Sequence, residues 1–491
     1  MSSSEDKRTS EVPGLRDGRA TASAGKGAIG WVSLAMINLA IIYSVRGLPI
    51  MAEEGFCTIS FMALSAAFFL IPISLVTAEL SSTWPPKGDG GVYIWVNEAF
   101  GKQWAFLAIW LQWSENVIWF PTVLSFIAAT LAYAFSPEMA NNKVYTLVVV
   151  LVVYWGGTLA NLNGMKTSAW ISTLGVTSTL ITTGLVVCLG FGWILAGNAS
   201  QIHFSLGSLI PDFTQMDSLV FLAGALVIVS GIEVSAAHAS EVKEPKRSFP
   251  KAILFSVSIS IAAIILGSLA IAFVVPQKEI SLVAGLMEAF DTFFAAHHLH
   301  WIVPIVALLI VAGSLGEVSA WILGPSKGLS VSAEHGLLPP ILQRKIRGDV
   351  PVNILFLQAL VVTGLVFIFL LMPTVSSAYW ILTALTAQLY LIMYLLMFLS
   401  ALILRYKRPA THRPYRIPWG NCGMWLATIS GLFGGLFTLF IGFFPPAQLK
   451  TGNLLFYESF LILGILVMCT APFVIYALRK PHWIQAPDKQ E

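Results

Sequence analysis

Four ionisable side chains stand inside otherwise apolar stretches of this sequence, and their neighbours disturb or pattern a helix. Arg46 lies in Ile41-Ile42-Tyr43-Ser44-Val45-Arg46-Gly47-Leu48-Pro49. Proline removes a helix hydrogen bond and glycine relaxes the backbone, so a helix is expected to break there. Glu233 lies in Ser230-Gly231-Ile232-Glu233-Val234-Ser235, again beside a glycine. Glu317 precedes Trp321 by four residues, which puts both on one helix face, and Tyr390 and Tyr394 repeat that spacing. Glu115, in Gln112-Trp113-Ser114-Glu115-Asn116, completes the set. A charge at such depth costs roughly 2.5–3.5 kcal/mol even on insertion scales, so it marks a site or is matched by an opposite charge. Arg46 can attract a substrate carboxylate or an acidic partner, with Glu115 the expected charge partner; a purely structural ion pair fits the same residues. Glu233 can take a substrate amine or a proton, or hold an unwound backbone together. Glu233 and Glu317 are the candidates for proton coupling.

The elements that must carry these residues follow from composition. Of 491 residues 56% are hydrophobic and 11% charged, with a mean hydropathy of +0.78, whereas soluble domains carry roughly 25% charged residues. Apolar stretches of about 20 residues recur, long enough to cross a ~30 Å hydrocarbon core as helices. Backbone groups in lipid must satisfy one another, and the ten-residue alternation of a membrane barrel is absent. The hydropathy pattern predicts twelve spans near 29–52, 57–81, 103–135, 143–161, 168–196, 217–240, 250–275, 301–330, 351–372, 377–405, 424–445 and 455–478. Val92–Phe100 and Ser281–His298 read as shorter amphipathic pieces at the membrane surface.

Residues 1–28 read as a disordered polar tail without a signal peptide, 29–478 as one membrane domain and 479–491 as a second short tail. With the N-terminus in the cytoplasm, only Lys143, Lys278 and Lys450 of the 28 basic residues fall in external loops, while Arg46 lies within the membrane. The positive-inside bias therefore predicts both termini cytoplasmic. The interruptions at Gly47 and Gly231 fall in spans 1 and 6, five apart, as expected of two five-helix inverted repeats with two helices appended. Exposed N–H groups of the half-helices suit a carboxylate and the carbonyls suit an ammonium.

Three motifs carry a resemblance. Gly231-x-Glu233 followed by Glu241-x-x-x-Pro245-x-Arg247-x-x-Pro250-x-Ala252-Ile253 resembles the signature of the amino acid–polyamine–organocation (APC) permeases. So does Pro86-x-Gly88-x-Gly90-Gly91-Val92-Tyr93-x-Trp95, and Trp321-Ile322-Leu323-Gly324-Pro325-Ser326-Lys327-Gly328 with Leu337-Leu338-Pro339 is similar to the eighth-helix segment of glutamate/GABA antiporters. The motifs lie in register with the spans and the similarity covers about residues 30–478. It implies an all-α membrane protein of the APC, LeuT-like fold with broken helices 1 and 6. It further implies that Glu317, Trp321, Tyr390 and Tyr394 line a substrate path, and the two helix breaks add Ser44, Arg46, Gly47, Gly231 and Glu233 as candidate substrate-binding residues. One departure stands out: family members carry a Gly/Ser-rich break in the first span, and this chain has Ser44-Val45-Arg46-Gly47.

The expected function is secondary active transport of small amino acids by alternating access in a bacterial inner membrane, as glutamate/GABA-type exchange or as proton-coupled uptake of neutral or other amino acids. An enzyme embedded in the membrane would need a nucleophile–base pair or metal cluster at depth, and no HExxH is present. A channel or nutrient sensor remains the other class, and a sensor would carry a larger cytoplasmic segment. Cys57, Cys188, Cys422 and Cys469 are scattered without a CxxC, and His297-His298-Leu299-His300 lacks other evident ligands, so no metal or cofactor is expected. Gly88-Asp89-Gly90-Gly91 lacks the GxxxxGK[ST] pattern of a phosphate loop. The lipid bilayer is the evident partner, nucleic acid is not, and a homo-oligomer stays open.

Overall fold

The computed structural model describes residues 29–84, 91–162, 165–346, 350–446 and 453–483. The tail at 1–28, the Pro86–Gly90 part of the second motif and the end of the chain from 484 lie outside the described residues. Among the described residues eleven helical segments are long and apolar enough to cross a membrane, and one bent pair makes a twelfth span. That pair is the first span, Trp31–Ile42 and Val45–Ala52, bent by 43° at Tyr43-Ser44. The rest are Cys57–Thr83, Lys102–Ala132, Lys143–Asn161, Met165–Leu195, Met216–Ala236, Pro245–Val274, Val303–Glu334, Val352–Leu371, Val375–Lys407, Gly420–Ile441 and Leu454–Leu478. They match the twelve expected spans, and Gly91–Phe100 and Gly285–Ala295 form the two short helices between them.

Local chemistry starts several of these helices. Asn142 accepts from the Val144 and Tyr145 amides at 3.0 Å, Thr374 from Ser377 at 3.0 Å and Asn453 from Leu455 at 2.9 Å, satisfying amides that have no helical partner. Pro49 lies in the first turn of Leu48–Ala52, where its missing N–H costs nothing. The first span therefore breaks just ahead of its proline, at extended Tyr43 and Ser44. The sixth span loses its α-helix after Ile228 and passes Gly231 at φ 112°, then continues as a 3-10 helix from Ile232. Only glycine occupies that φ without strain.

The third span is the centre of the bundle: 89% of its most apolar window is buried, against 11% for the twelfth, at the periphery. The third span packs on the tenth and the eighth on the fifth; likewise the first packs on the seventh and the sixth on the second. Within each set one pairing becomes the other when every span is exchanged for its counterpart five away in the other half (3 for 8 and 10 for 5; 1 for 6 and 7 for 2), the relation expected of two repeated halves. Gly175 of the fifth span lies so close to the eighth that an added Cβ would stand 2.5 Å from the Gly316 Cα. Small residues at such crossings let membrane helices approach and gain dispersion contacts.

Candidate functional site

The two helix breaks face one another across a cavity of about 150 Å³. Its walls come from the C-terminal half of the first span (Arg46, Gly47, Ile50), the α-helical half of the sixth (Ala223, Gly224, Val227, Ile228), the start of the tenth (Tyr379, Trp380, Thr383) and the end of the eleventh (Thr438, Gly442). All lie toward the membrane face opposite the N-terminus, so the cavity occupies that half of the protein. Ser44, Gly231, Trp321, Tyr390, Glu115 and Asn116 complete its floor and sides.

Arg46 projects from the 3-10 turn that follows the first break. Its Nη1 donates to the Thr122 and Tyr379 hydroxyls, both at 3.2 Å. The guanidinium lies 5.4 Å from the Trp119 ring centroid and 5.9 Å from that of Tyr379, within the range of cation–π attraction. Nε has no partner. The expected Arg46–Glu115 pair does not form: both residues line the cavity, but Arg46 makes no salt bridge among the described residues. Hydroxyls and ring faces hold the arginine instead, with the Glu317 carboxyl near enough to interact with its charge but outside ion-pair distance.

Below the cavity, toward the N-terminal face, the break of the sixth span is sealed. The Tyr390 and Tyr394 hydroxyls donate to the two carboxylate oxygens of Glu233, and Gln112 donates to the first at 3.3 Å. The Gly231 amide, freed by the break, donates to the Tyr394 hydroxyl at 2.7 Å. The i, i+4 spacing of the tyrosines delivers both to one carboxylate, their rings 4.6 Å apart. Glu233 is thus engaged by three side-chain donors and does not face the cavity openly. Glu317 accepts from the Ser44 hydroxyl at 3.1 Å, and Trp321 packs against Trp119 with centroids 5.8 Å apart.

A second charged cluster closes the N-terminal side, and the sequence reading passed over it. Glu79 near the end of the second span accepts from Arg405 Nη2 at 2.7 Å and from the Ile417 amide at 2.8 Å, and lies 3.1 Å from Arg413 Nε. Arg413 also lies over Trp84 at 5.8 Å. All three charged side chains are buried. Arg405 ends the tenth span and Arg413 lies in the loop after it, and no local pattern pairs either with Glu79. On the opposite face Glu53 and Glu54 follow the C-terminal half of the first span. Burial pushes Glu53 up to about 8, with Glu54 and Asp217 adding repulsion, and burial with Asp217 pushes Glu54 up to about 7.

Comparison with known proteins places this geometry. An uncharacterized transporter of Legionella pneumophila is 40% identical over 443 residues, covering 90% of this chain and 95% of its own. A glutamate/gamma-aminobutyrate antiporter of Lactococcus lactis subsp. lactis is 30% identical over 448 residues, covering 90% and 89%. A probable agmatine/putrescine antiporter of the same organism is 26% identical over 354 residues, 71% and 73%. The sequence profile described as amino acid permease matches residues 29–468. Two broken spans around a central cavity in a twelve-span helical bundle, with that match along nearly the whole chain, make this protein a multi-pass membrane transporter of the amino acid permease family, within the APC superfamily.

Proposed function

We propose that this permease exchanges glutamate/GABA-like amino acids across a bacterial inner membrane by alternating access, with both termini in the cytoplasm. The observation that carries the reading is the cavity at the paired helix breaks, with the Arg46 guanidinium in its wall and no carboxylate bound to it. Arg46 receives a substrate carboxylate, and Ser44, Gly47 and Gly231 offer the backbone of the two breaks. Trp321, packed against Trp119, closes the side of the site. Glu233 with Tyr390 and Tyr394 forms the layer between substrate and the N-terminal side, and opening toward the cytoplasm separates that layer. Relatedness to glutamate/gamma-aminobutyrate antiporters supports exchange of these compounds.

Glu317, bonded to Ser44 at the first break, and Glu233, bonded across the second, are the proposed proton-coupling residues. On this reading Glu317→Gln flattens the pH dependence of uptake; an unchanged profile removes Glu317 from that role. Counterflow in proteoliposomes tests the whole proposal: vesicles loaded with unlabelled glutamate or 4-aminobutyrate should accelerate uptake of the labelled partner. Uptake that is saturable but not trans-stimulated would instead support a proton-coupled uptake permease, and no saturable uptake of any amino acid would overturn transport.

A further inference from the structure

Glu115 is 3% exposed, lies in the cavity wall and has an Oε1 with no hydrogen-bond partner. No lysine, arginine or histidine lies within ion-pair distance of it among the described residues. Its charged neighbour is Glu233, of the same sign. A buried carboxylate in that position forfeits solvation without recovering it from a cation. Beside it, Asn116 Oδ1 and both amide atoms of Gln388 are buried in the same wall and also without partners, as are the Thr386 and Thr438 hydroxyls. Glu115 Oε1, Asn116 Oδ1 and Gln388 Oε1 are acceptors, and all of these residues line the cavity. The Arg46 cation meanwhile is held by Thr122, Tyr379 and two ring faces. The Arg46 guanidinium and the Glu115 carboxyl therefore line one cavity with no ion pair between them among the described residues, and a ligand bearing groups complementary to each can bridge them.

We infer that Glu115, with Asn116 and Gln388, is the subsite for the substrate's ammonium group, so that this permease selects short molecules bearing a carboxylate at one end and an ammonium at the other. The inference rests on the transport reading given above. An ammonium brings three donors to acceptors that have none, and a carboxylate brings two acceptors to a guanidinium with an unused edge. A dicarboxylate of the same length satisfies Arg46 but meets Glu115 with like charge, and a diamine does the reverse.

The test compares 4-aminobutyrate with glutarate, which has the same three methylenes and a carboxylate in place of the ammonium. Purified protein in liposomes is assayed in choline-based, sodium-free buffer. Glu115→Gln should raise the KM for 4-aminobutyrate about tenfold or more, the range expected on losing a charge-assisted hydrogen bond, and lower that for glutarate. Gln388→Met, close in shape and without the acceptor, should shift the KM ratio of the two substrates in the same direction by a few-fold. A ratio unchanged in both variants overturns the inference. So does wild-type selectivity that requires sodium, which would assign the carboxylate to a metal cation. Wild-type vesicles that exchange no amino acid remove the transport reading itself, a result distinct from either.

Discussion

Arg46→Ala isolates the carboxylate end of the site. Nη1 is committed to Thr122 and Tyr379 at 3.2 Å, while Nε is buried without a partner, so the guanidinium has donor capacity left for a ligand. A hydrogen bond to a charged group contributes about 1.5–3 kcal/mol, which corresponds to roughly a 10- to 150-fold change in affinity. The expected result is a rise of that order in the KM for 4-aminobutyrate, with a much smaller change for 4-aminobutanamide, whose neutral end lacks the charge. Arg46→Lys should fall between, because an ammonium keeps the charge but loses the planar fork and the ring stacking. Uptake into proteoliposomes of matched protein content gives both constants, and the melting temperature in detergent reports any loss of fold. If Arg46→Ala penalises the amide as strongly as the acid, Arg46 is a structural brace between the first, third and tenth spans, and the assignment of the carboxylate to it is wrong.

Other outcomes follow from the same geometry. Glu79→Gln leaves Arg405 and Arg413 buried without their anion, and breaking a buried pair costs about 3–5 kcal/mol; the melting temperature in detergent should fall by several degrees, and an unchanged value would show that the cluster is solvated. Gly231→Val forces a β-branched residue to φ 112° and sets its Cβ 3.3 Å from Ile41 Cγ2, so transport should be lost while the protein still reaches the membrane; wild-type rates would refute the need for that conformation. Glu53 and Glu54 have folded values raised to about 8 and about 7, above the ordinary carboxylate range, so the fold favours their protonated forms. Stability is therefore greatest below pH 4.5 or so and declines as pH rises toward 8. The double variant Glu53→Gln/Glu54→Gln should gain a few degrees over wild type at pH 8 and little at pH 5, and a constant difference would contradict the assignment.

The fold was legible because lipid leaves a chain few options: apolar runs of span length must be helices, and glycine beside a buried charge marks where a helix yields. The break at Ser44 and the φ of Gly231 appear where Pro49 and Gly231 pointed, and the i, i+4 tyrosines meet on one face. Pairing between distant residues was not legible. Arg46 and Glu115 were natural partners by charge, yet hydroxyls of Thr122 and Tyr379 and the Trp119 face hold the arginine. Neither a threonine nor a tyrosine announces that role, because each is ordinary in a membrane helix. Likewise Tyr390 and Tyr394 pointed to a substrate path, while their Glu233 contacts depend on a crossing of the sixth and tenth spans that no local pattern encodes. Hydropathy located Glu79 and Arg405 near span ends, but it carries no information on which ends meet.

The Glu79 cluster has a consequence for how the protein is made. Glu79 emerges with the second span, whereas Arg405 follows 326 residues later and the Ile417 amide 338 residues later. At synthesis rates of about 5–20 residues per second, the carboxylate waits roughly 20–60 s for its native partners. During that interval the membrane holds a chain with an unmatched buried acid, a state that invites retention by insertion factors or digestion by membrane proteases. A chain that ends before Arg405, within the tenth span, never supplies either cation. The contact thus acts as a completion mark, formed only when the last quarter of the protein has joined the first.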